Sequence, residues 1–439
     1  MKINDNSRAD KLAVSRIPKM VEKIANKTLT ELEDEGVFVF PECIKDTEDL
    51  NSDQMVLQKI GNYYYTGNIM GFLGCGEERL TISSRFSSHN SDFFLQYMLD
   101  KVLDYPNVFD LETQSNSNNQ LINILMFLFP LYLRRAMRKG LFKKYVTTKY
   151  NDSNLKGNVN ISRHIKENTP FVGNIAYDKR EQLLDNYMSQ LIRHTIEFIK
   201  GKRSGKQILA WARDDVGRIV EATSTYNVHD RKKVLADNKK HVVRHAYFRE
   251  YRALQKLCIL ILQYQKQELG SGITRVYGVL FDGAWLWEEY VNSLVKEYFY
   301  HPKNKERSGA EQLFTCKRKI GLIYPDFISK NVEERVIADA KYKPFSNIGN
   351  RDYLQLLAYM MRFESKRGMF LYPESGCEED ALLLVNRGST HEKNVEPRTD
   401  TFIVKHGLKI PVKAKDYNDF SLRMKDAEND FVRSLITIL

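Results

Sequence analysis

Two short apolar runs, "GLIYPDFIS" and "RVIADAKYK", flank the polar turn "KNVEE", and together they constrain this chain more than any other feature. Both runs are rich in β-branched and aromatic residues, which predicts an antiparallel hairpin. If the turn centres between Val332 and Glu333, Asp326 falls opposite Asp339. Lys341, two residues on, shares that face. Directly opposed side chains have Cβ atoms about 5 Å apart, where two carboxylates repel by about 3 kcal/mol at an effective dielectric near ~20. A purely structural hairpin gains nothing from that repulsion. A divalent cation between the oxygens converts it into coordination, and Mg²⁺ suits the role because it takes one or two carboxylates and keeps water. Lys341 is then placed to orient or deprotonate an attacking water and to offset charge in a phosphoryl transition state. The DxK spacing alone is uninformative, since it recurs at Asp230–Lys232 and Asp237–Lys239 in polar sequence. The β frame and the second Asp, preceded by Pro325, set Asp339–Lys341 apart.

Helical patterns flank the hairpin. In "WLWEEYVNSLVKEY", residues Trp287, Val291, Leu294, Val295 and Tyr298 form one apolar stripe. Glu288 lies at its edge, within reach of a metal site, whereas Glu289 is expected to point to solvent. In "NRDYLQLLAYMMRF", Gln355 and Tyr359 share a face at i and i+4.

The remainder of the chain sets limits on function. A length of 439 residues suits two or three domains. The surplus of 67 Lys+Arg over 56 Asp+Glu, a net +11, suits an anionic partner such as nucleic acid. Basic clusters stand at Arg134–Lys144 and Arg231–His245. The five cysteines are scattered without a CxxC pair, so neither a disulfide framework nor a zinc ribbon is indicated. The opening "MKINDNSRADKLAVSR" has no apolar run, and "LINILMFLFPLYL" is too short to span a bilayer, so a soluble cytoplasmic protein is expected. The loop "GKRSGK", Gly201 to Lys206, misses the phosphate-binding spacing and lacks its hydroxyl, which argues against nucleotide hydrolysis by this chain. His241 and His245 lack a third ligand and read as a surface pair. Short strands are expected between Val37 and Phe86, then helices in "DFFLQYMLDKVLDY" and from Leu121 to Tyr145, then a strand-like "GNVNI" and the helix "YMSQLIRHTIEFIK".

Glu288 on a leading helix, Pro325–Asp326, Asp339–Ala340–Lys341 and Gln355–Tyr359 together resemble the pattern of PD-(D/E)xK nucleases, with QxxxY as in the RecB-like branch. Leu155–Lys200 ("LKGNVNISRHIKENTPFVGNIAYDKREQLLDNYMSQLIRHTIEFIK") resembles the segment preceding the nuclease domain in the McrC family of restriction subunits, and "YYYTGNIMGFLG" and "RLTISSRF" resemble that family's N-terminal part. Ser189 departs from the Asn expected in the family's helix motif. The resemblance implies an α+β N-terminal part with a β-rich start, followed by a C-terminal α/β restriction-endonuclease-like domain. The expected divisions are 1–150 for partner binding, 151–240 as a bridge and 241–439 for the nuclease. Asp326, Asp339, Lys341, Glu288 and Gln355 are the implied catalytic residues, and Asp326, Asp339 and Glu288 the implied Mg²⁺ ligands. The implied partners are DNA and a hexameric McrB-like AAA+ GTPase, with GTP used by that partner and no membrane involved.

Two other readings stay open. A stand-alone RecB-like nuclease fits the same residues, although its iron–sulfur branches need four cysteines and only Cys316 and Cys377 flank the site. A non-catalytic adaptor that binds DNA or activates a motor has no use for opposed carboxylates.

Overall fold

The computed structural model describes all residues except 41–45, 48–49, 52–54, 88–91, 103–116, 203, 269–275, 303–309, 316–319, 377–380 and 389–394. The chain is mixed α/β and packs into two compact units, one of Met1–Leu121 with Gly272–Leu439 and one of Ile122–Ser271. The pattern-based divisions at 150 and 240 differ from these limits for a physical reason. Strand Val276–Asp282 inserts between Ile69–Cys75, antiparallel to it, and Val37–Phe40, parallel to it. A pairing across some 200 residues leaves no local pattern to read. It requires two backbones in close approach: a Cβ on Gly71 would meet the Val279 carbonyl oxygen at 2.1 Å, and one on Gly278 would meet that of Phe72 at 2.1 Å.

Two large sheets stand in the first unit, beside smaller ones of two and three strands. The five-stranded sheet runs Lys2–Asn4, Glu78–Ser83, Ile69–Cys75, Val276–Asp282, Val37–Phe40, over a core that includes Met20, Ile24, Leu32, Leu73, Ile82 and Leu280. The six-stranded sheet runs Phe299–Tyr300, Phe327–Ser329, Val336–Ala340, Arg367–Glu374, Glu396–Lys409, Ala381–Arg387. Helix Asn350–Arg362 makes the crossover between the parallel strands Val336–Ala340 and Arg367–Glu374. Its Leu356, Tyr359 and Met360 pack with Ile337, Phe370, Tyr372 and Ile403. Side chains alternate along a strand, so Asp339 and Lys341 emerge on the same face as Ile337, under that helix.

In the second unit, Lys144–Asp152 pairs with Ile175–Leu183, which also pairs with Asn158–Val159. Helix Tyr187–Lys200 buries Met188, Leu191, Ile192, Ile196 and Ile199 and packs against Arg231–Lys240 and Arg249–Glu268. The expected helix to Tyr145 ends instead at Met137, because Gly140 turns the chain at φ +79 and the alternating "KYVTTKY" pairs as a strand. Asn160 caps a helix at Ile161, so only Asn158–Val159 of "GNVNI" is strand. Ser189 donates to the Leu184 carbonyl. His241 sits on the Asp237 carbonyl at 2.9 Å and His245 accepts from the Tyr247 N–H at 3.2 Å, each engaged locally. Cys75 and Cys258 are buried free thiols, while Cys43, Cys316 and Cys377 lie outside the described residues. Among the described residues no helix is long and apolar enough to cross a membrane.

Candidate active site

The register of the hairpin is the expected one. Phe327 pairs with Ala338 and Ile328 with Ile337, so the next step brings Asp326 to Asp339. There the ladder is replaced by a side-chain contact: the Ala340 N–H donates to Asp326 Oδ2 at 2.9 Å. Asp339 is only 2% exposed. The Lys341 ammonium lies 2.7 Å from Asp339 Oδ2 and donates to Gln355 Oε1 at 3.1 Å. Gln355 in turn donates through Nε2 to the Tyr359 hydroxyl at 2.7 Å, which keeps its oxygen turned toward Lys341. Asp326, Asp339, Lys341, Gln355 and Tyr359 are thus brought together, as the sequence pattern requires.

Lys341 satisfies Asp339 and leaves Asp326 in a different position. Burial, followed by the charges of Glu288 and Asp339, pushes the Asp326 carboxyl well above the usual carboxylate range, against the pull of Lys341 and the Ala340 N–H. Burial, then Asp339 and Asp326, likewise push the Tyr359 phenol up, so it stays protonated.

Glu288 reaches this cluster because of how its helix begins. The buried Asp282 carboxylate accepts from the Ala284 and Trp285 N–H groups at 2.9 and 3.2 Å, capping helix Gly283–Val295. Trp287, fully buried, donates its Nε1–H to the Leu371 carbonyl at 3.0 Å and pins that helix to the sheet. Asp282→Ala is expected to cost about 1–2 kcal/mol, read from urea unfolding of the whole chain; unchanged unfolding would show that the cap does not hold the helix.

The alternation of "DAKYK" also anchors the strand from behind. Tyr342 points away from the cluster, its hydroxyl 2.6 Å from Ser84 Oγ and its ring under the Arg85 guanidinium, which pairs with Asp5 at 2.8 Å. Lys343 returns to the front and meets Asp352 at 2.9 Å, and that carboxylate also lies 3.8 Å from Lys341. Burial raises the Asp352 carboxyl, but Lys343, the Gly349 N–H and Lys341 outweigh it and hold the group below the usual range.

Sequence reasoning missed His301, Asp352 and Tyr342. Only Asp352 had a readable signal, standing three residues after the helix-capping Gly349. His301 stacks on Phe327, faces the Asp326 carbonyl at 2.8 Å through Nδ1, and lies 3.6 and 3.7 Å from Glu288 and Glu289 through Nε2. Glu289 therefore turns to His301 where solvent was expected. Burial lowers the His301 pKa, yet Glu289, Glu288 and the Asp326 carbonyl outweigh it and raise it overall.

Carboxylates of this kind suit a hard cation with oxygen ligands. Among the described residues no group of three His, Cys, Asp or Glu side chains forms a ready-made cage. Mg²⁺ needs none, because it is held by one or two carboxylates and completes its shell with water. Asp326 and Asp339 fit it, with Glu288 at the rim.

A family model described as "McrBC 5-methylcytosine restriction system component" matches residues 65–373. No curated protein matches the chain significantly. Among solved structures, the chain is similar to one from a refined half-complex of the tetradecameric assembly of Thermococcus gammatolerans McrB AAA+ hexamers with bound McrC, at 17% identity and a TM-score of 0.49, covering 100% of both chains. It is also similar to one from the cryo-EM structure of the Thermococcus gammatolerans McrBC complex, at 17% identity and a TM-score of 0.33, covering 67% of this chain and 87% of that one. The family match takes in more than half of the chain, with Glu288, the whole hairpin and helix Asn350–Arg362 inside it, and the chain belongs to the family of McrBC 5-methylcytosine restriction system components.

Proposed function

We propose that this chain is the Mg²⁺-dependent DNA endonuclease subunit of a McrBC-like restriction system, its C-terminal part a PD-(D/E)xK nuclease domain. It cuts DNA in the cytoplasm when assembled with a hexameric AAA+ GTPase whose GTP hydrolysis it stimulates. The observation that carries this reading is the cluster of Asp326, Asp339 and Lys341 on one hairpin face, with Gln355 fixing the lysine. Family membership supports the restriction-system part.

Each side chain has a task that follows from its contacts. When bound, Mg²⁺ supplies Lewis-acid stabilisation of phosphate charge and a more acidic water. Asp326 and Asp339 would hold it, with Glu288 beside them. Lys341, held by Asp339 and Gln355, hydrogen-bonds the attacking water or a non-bridging phosphate oxygen through Nζ. Tyr359 and Gln355 keep that ammonium from rotating away. Asp352 holds Lys343 beside the site, where its second ammonium can meet a neighbouring phosphate of the DNA backbone.

Dependence on a partner is expected to be strong. The purified chain alone is expected to cut DNA poorly or not at all. The test is cleavage of plasmid DNA with and without the AAA+ partner and GTP. Robust, site-specific, nucleotide-independent cutting by the chain alone would favour a stand-alone RecB-like nuclease.

A further inference from the structure

We propose that His301 is a positioning residue that sets the metal affinity of the site by holding Glu288 and the Asp326 backbone in a fixed relation; this rests on the reading of the cluster as a Mg²⁺ site. His301 follows the edge strand Phe299–Tyr300, whose partner is the strand that begins just after Asp326. That pairing lays the imidazole over the Phe327 ring, with centroids 5.0 Å apart and planes 26° from parallel. Packing alone would be satisfied by any flat ring. The two nitrogens are instead both directed at polar groups from different elements.

Nδ1 faces the Asp326 carbonyl oxygen at 2.8 Å. A carbonyl oxygen only accepts, so Nδ1 carries the hydrogen of that bond. Nε2, at the opposite end of the ring, lies 3.6 Å from Glu288 Oε1 and 3.7 Å from Glu289 Oε1. One rigid ring thus spans from the backbone of one metal-binding aspartate to the carboxylate of the glutamate at the rim. The side chain is 15% exposed, so the surrounding protein limits its rotation. Glu288 is on a helix and Asp326 just before a strand, and the ring touches both. Residues that orient metal-binding groups in this way typically change metal affinity by about 10–100-fold when removed.

Asn and Gln separate the two ends of the ring, because an Asn amide can replace the Nδ1 donor and the longer Gln amide can reach toward Glu288 where Nε2 stands. The experiment uses the full chain and follows the Mg²⁺ concentration that half-saturates the rise in Tm, with Mn²⁺ binding by paramagnetic resonance as a second readout. His301→Ala is expected to raise the half-saturating concentration by about 10–100-fold. His301→Gln is expected to recover most of that loss and His301→Asn little of it. Tm in EDTA reports lost packing on Phe327 separately. Parent-like metal binding by His301→Ala overturns the proposal, as does recovery by His301→Asn alone. A parent chain that shows no Mg²⁺-dependent rise in Tm overturns the metal-site reading itself and this proposal with it.

Discussion

Replacement of Asp326, Asp339 or Lys341 with Ala is expected to lower DNA cleavage by the assembled complex about 10²–10³-fold, while the partner's GTP hydrolysis continues. Removing one preorganised charge-stabilising group from an active site commonly costs 10²–10³ in rate, so about 3–4 kcal/mol of transition-state stabilisation is asked of each. The three side chains act as a unit, since Lys341 is held by Asp339 and the Asp326 carboxylate is bound by the N–H of Ala340. Their losses are therefore expected to be far from additive, with any double variant about as inactive as the worse single one. Gln355→Ala removes only the orienting acceptor of Lys341, and a loss of about tenfold, one hydrogen bond's worth, is expected. Single-turnover cleavage of end-labelled DNA, run beside GTP hydrolysis on the same preparations, checks all four. Undiminished cutting by two of the three Ala variants would remove the hairpin from the chemistry.

Asp326→Asn is expected to raise the Tm of the metal-free chain, and by more at pH 8 than at pH 5. The opposed pair carries a repulsion, but not evenly: Lys341 lies against Asp339, and Asp326 remains with its pKa raised by burial, Glu288 and Asp339. A carboxyl whose folded-state pKa lies above its unfolded value supports folding fully only below the unfolded value, near ~4. That support is lost as pH rises through the raised folded value. Asn has no charge to form, so the gap between variant and parent widens over that window, reaching about 2 °C or more in Tm. Melting in EDTA at several pH values checks the sign. A variant that melts below the parent at every pH would mean that the Asp326 charge stabilises the fold.

Much of this site was legible because it rests on local patterns. The β-favouring runs around "KNVEE" set the hairpin register, and the register alone brings Asp326 to Asp339 and turns Lys341 to the same face. Gln355 and Tyr359 were legible as an i, i+4 pair, and their hydrogen bond depends on nothing beyond helix geometry. What could not be read depends on long-range pairing. Strand Val276–Asp282 joins strands more than 200 residues earlier, and that junction fixes where Asp282 caps the helix bearing Glu288. His301 follows a two-residue strand, too short for a periodic signal, and its polar contacts are with neighbours 13 and 25 positions away. Tyr342 carries no pattern of its own in "AKYK", yet its hydroxyl meets Ser84, which follows strand Glu78–Ser83 of the other large sheet. The end of the helix Ser117–Met137 was misjudged for a related reason, since the strand after Gly140 is stabilised by its partner Ile175–Leu183 rather than by its own composition.

The most direct measurement is the rise in Tm of the full chain on adding Mg²⁺, compared between the parent and Asp326→Asn. A ligand that binds only the folded state stabilises it by mass action, by about 2.7 kcal/mol at a hundred times its dissociation constant. If Asp326 and Asp339 share a divalent cation, Mg²⁺ raises the Tm of the parent by several degrees and leaves that of the variant near its value in EDTA. Equal shifts in the two proteins, or no shift in either, would contradict a shared metal site at the centre of the hairpin.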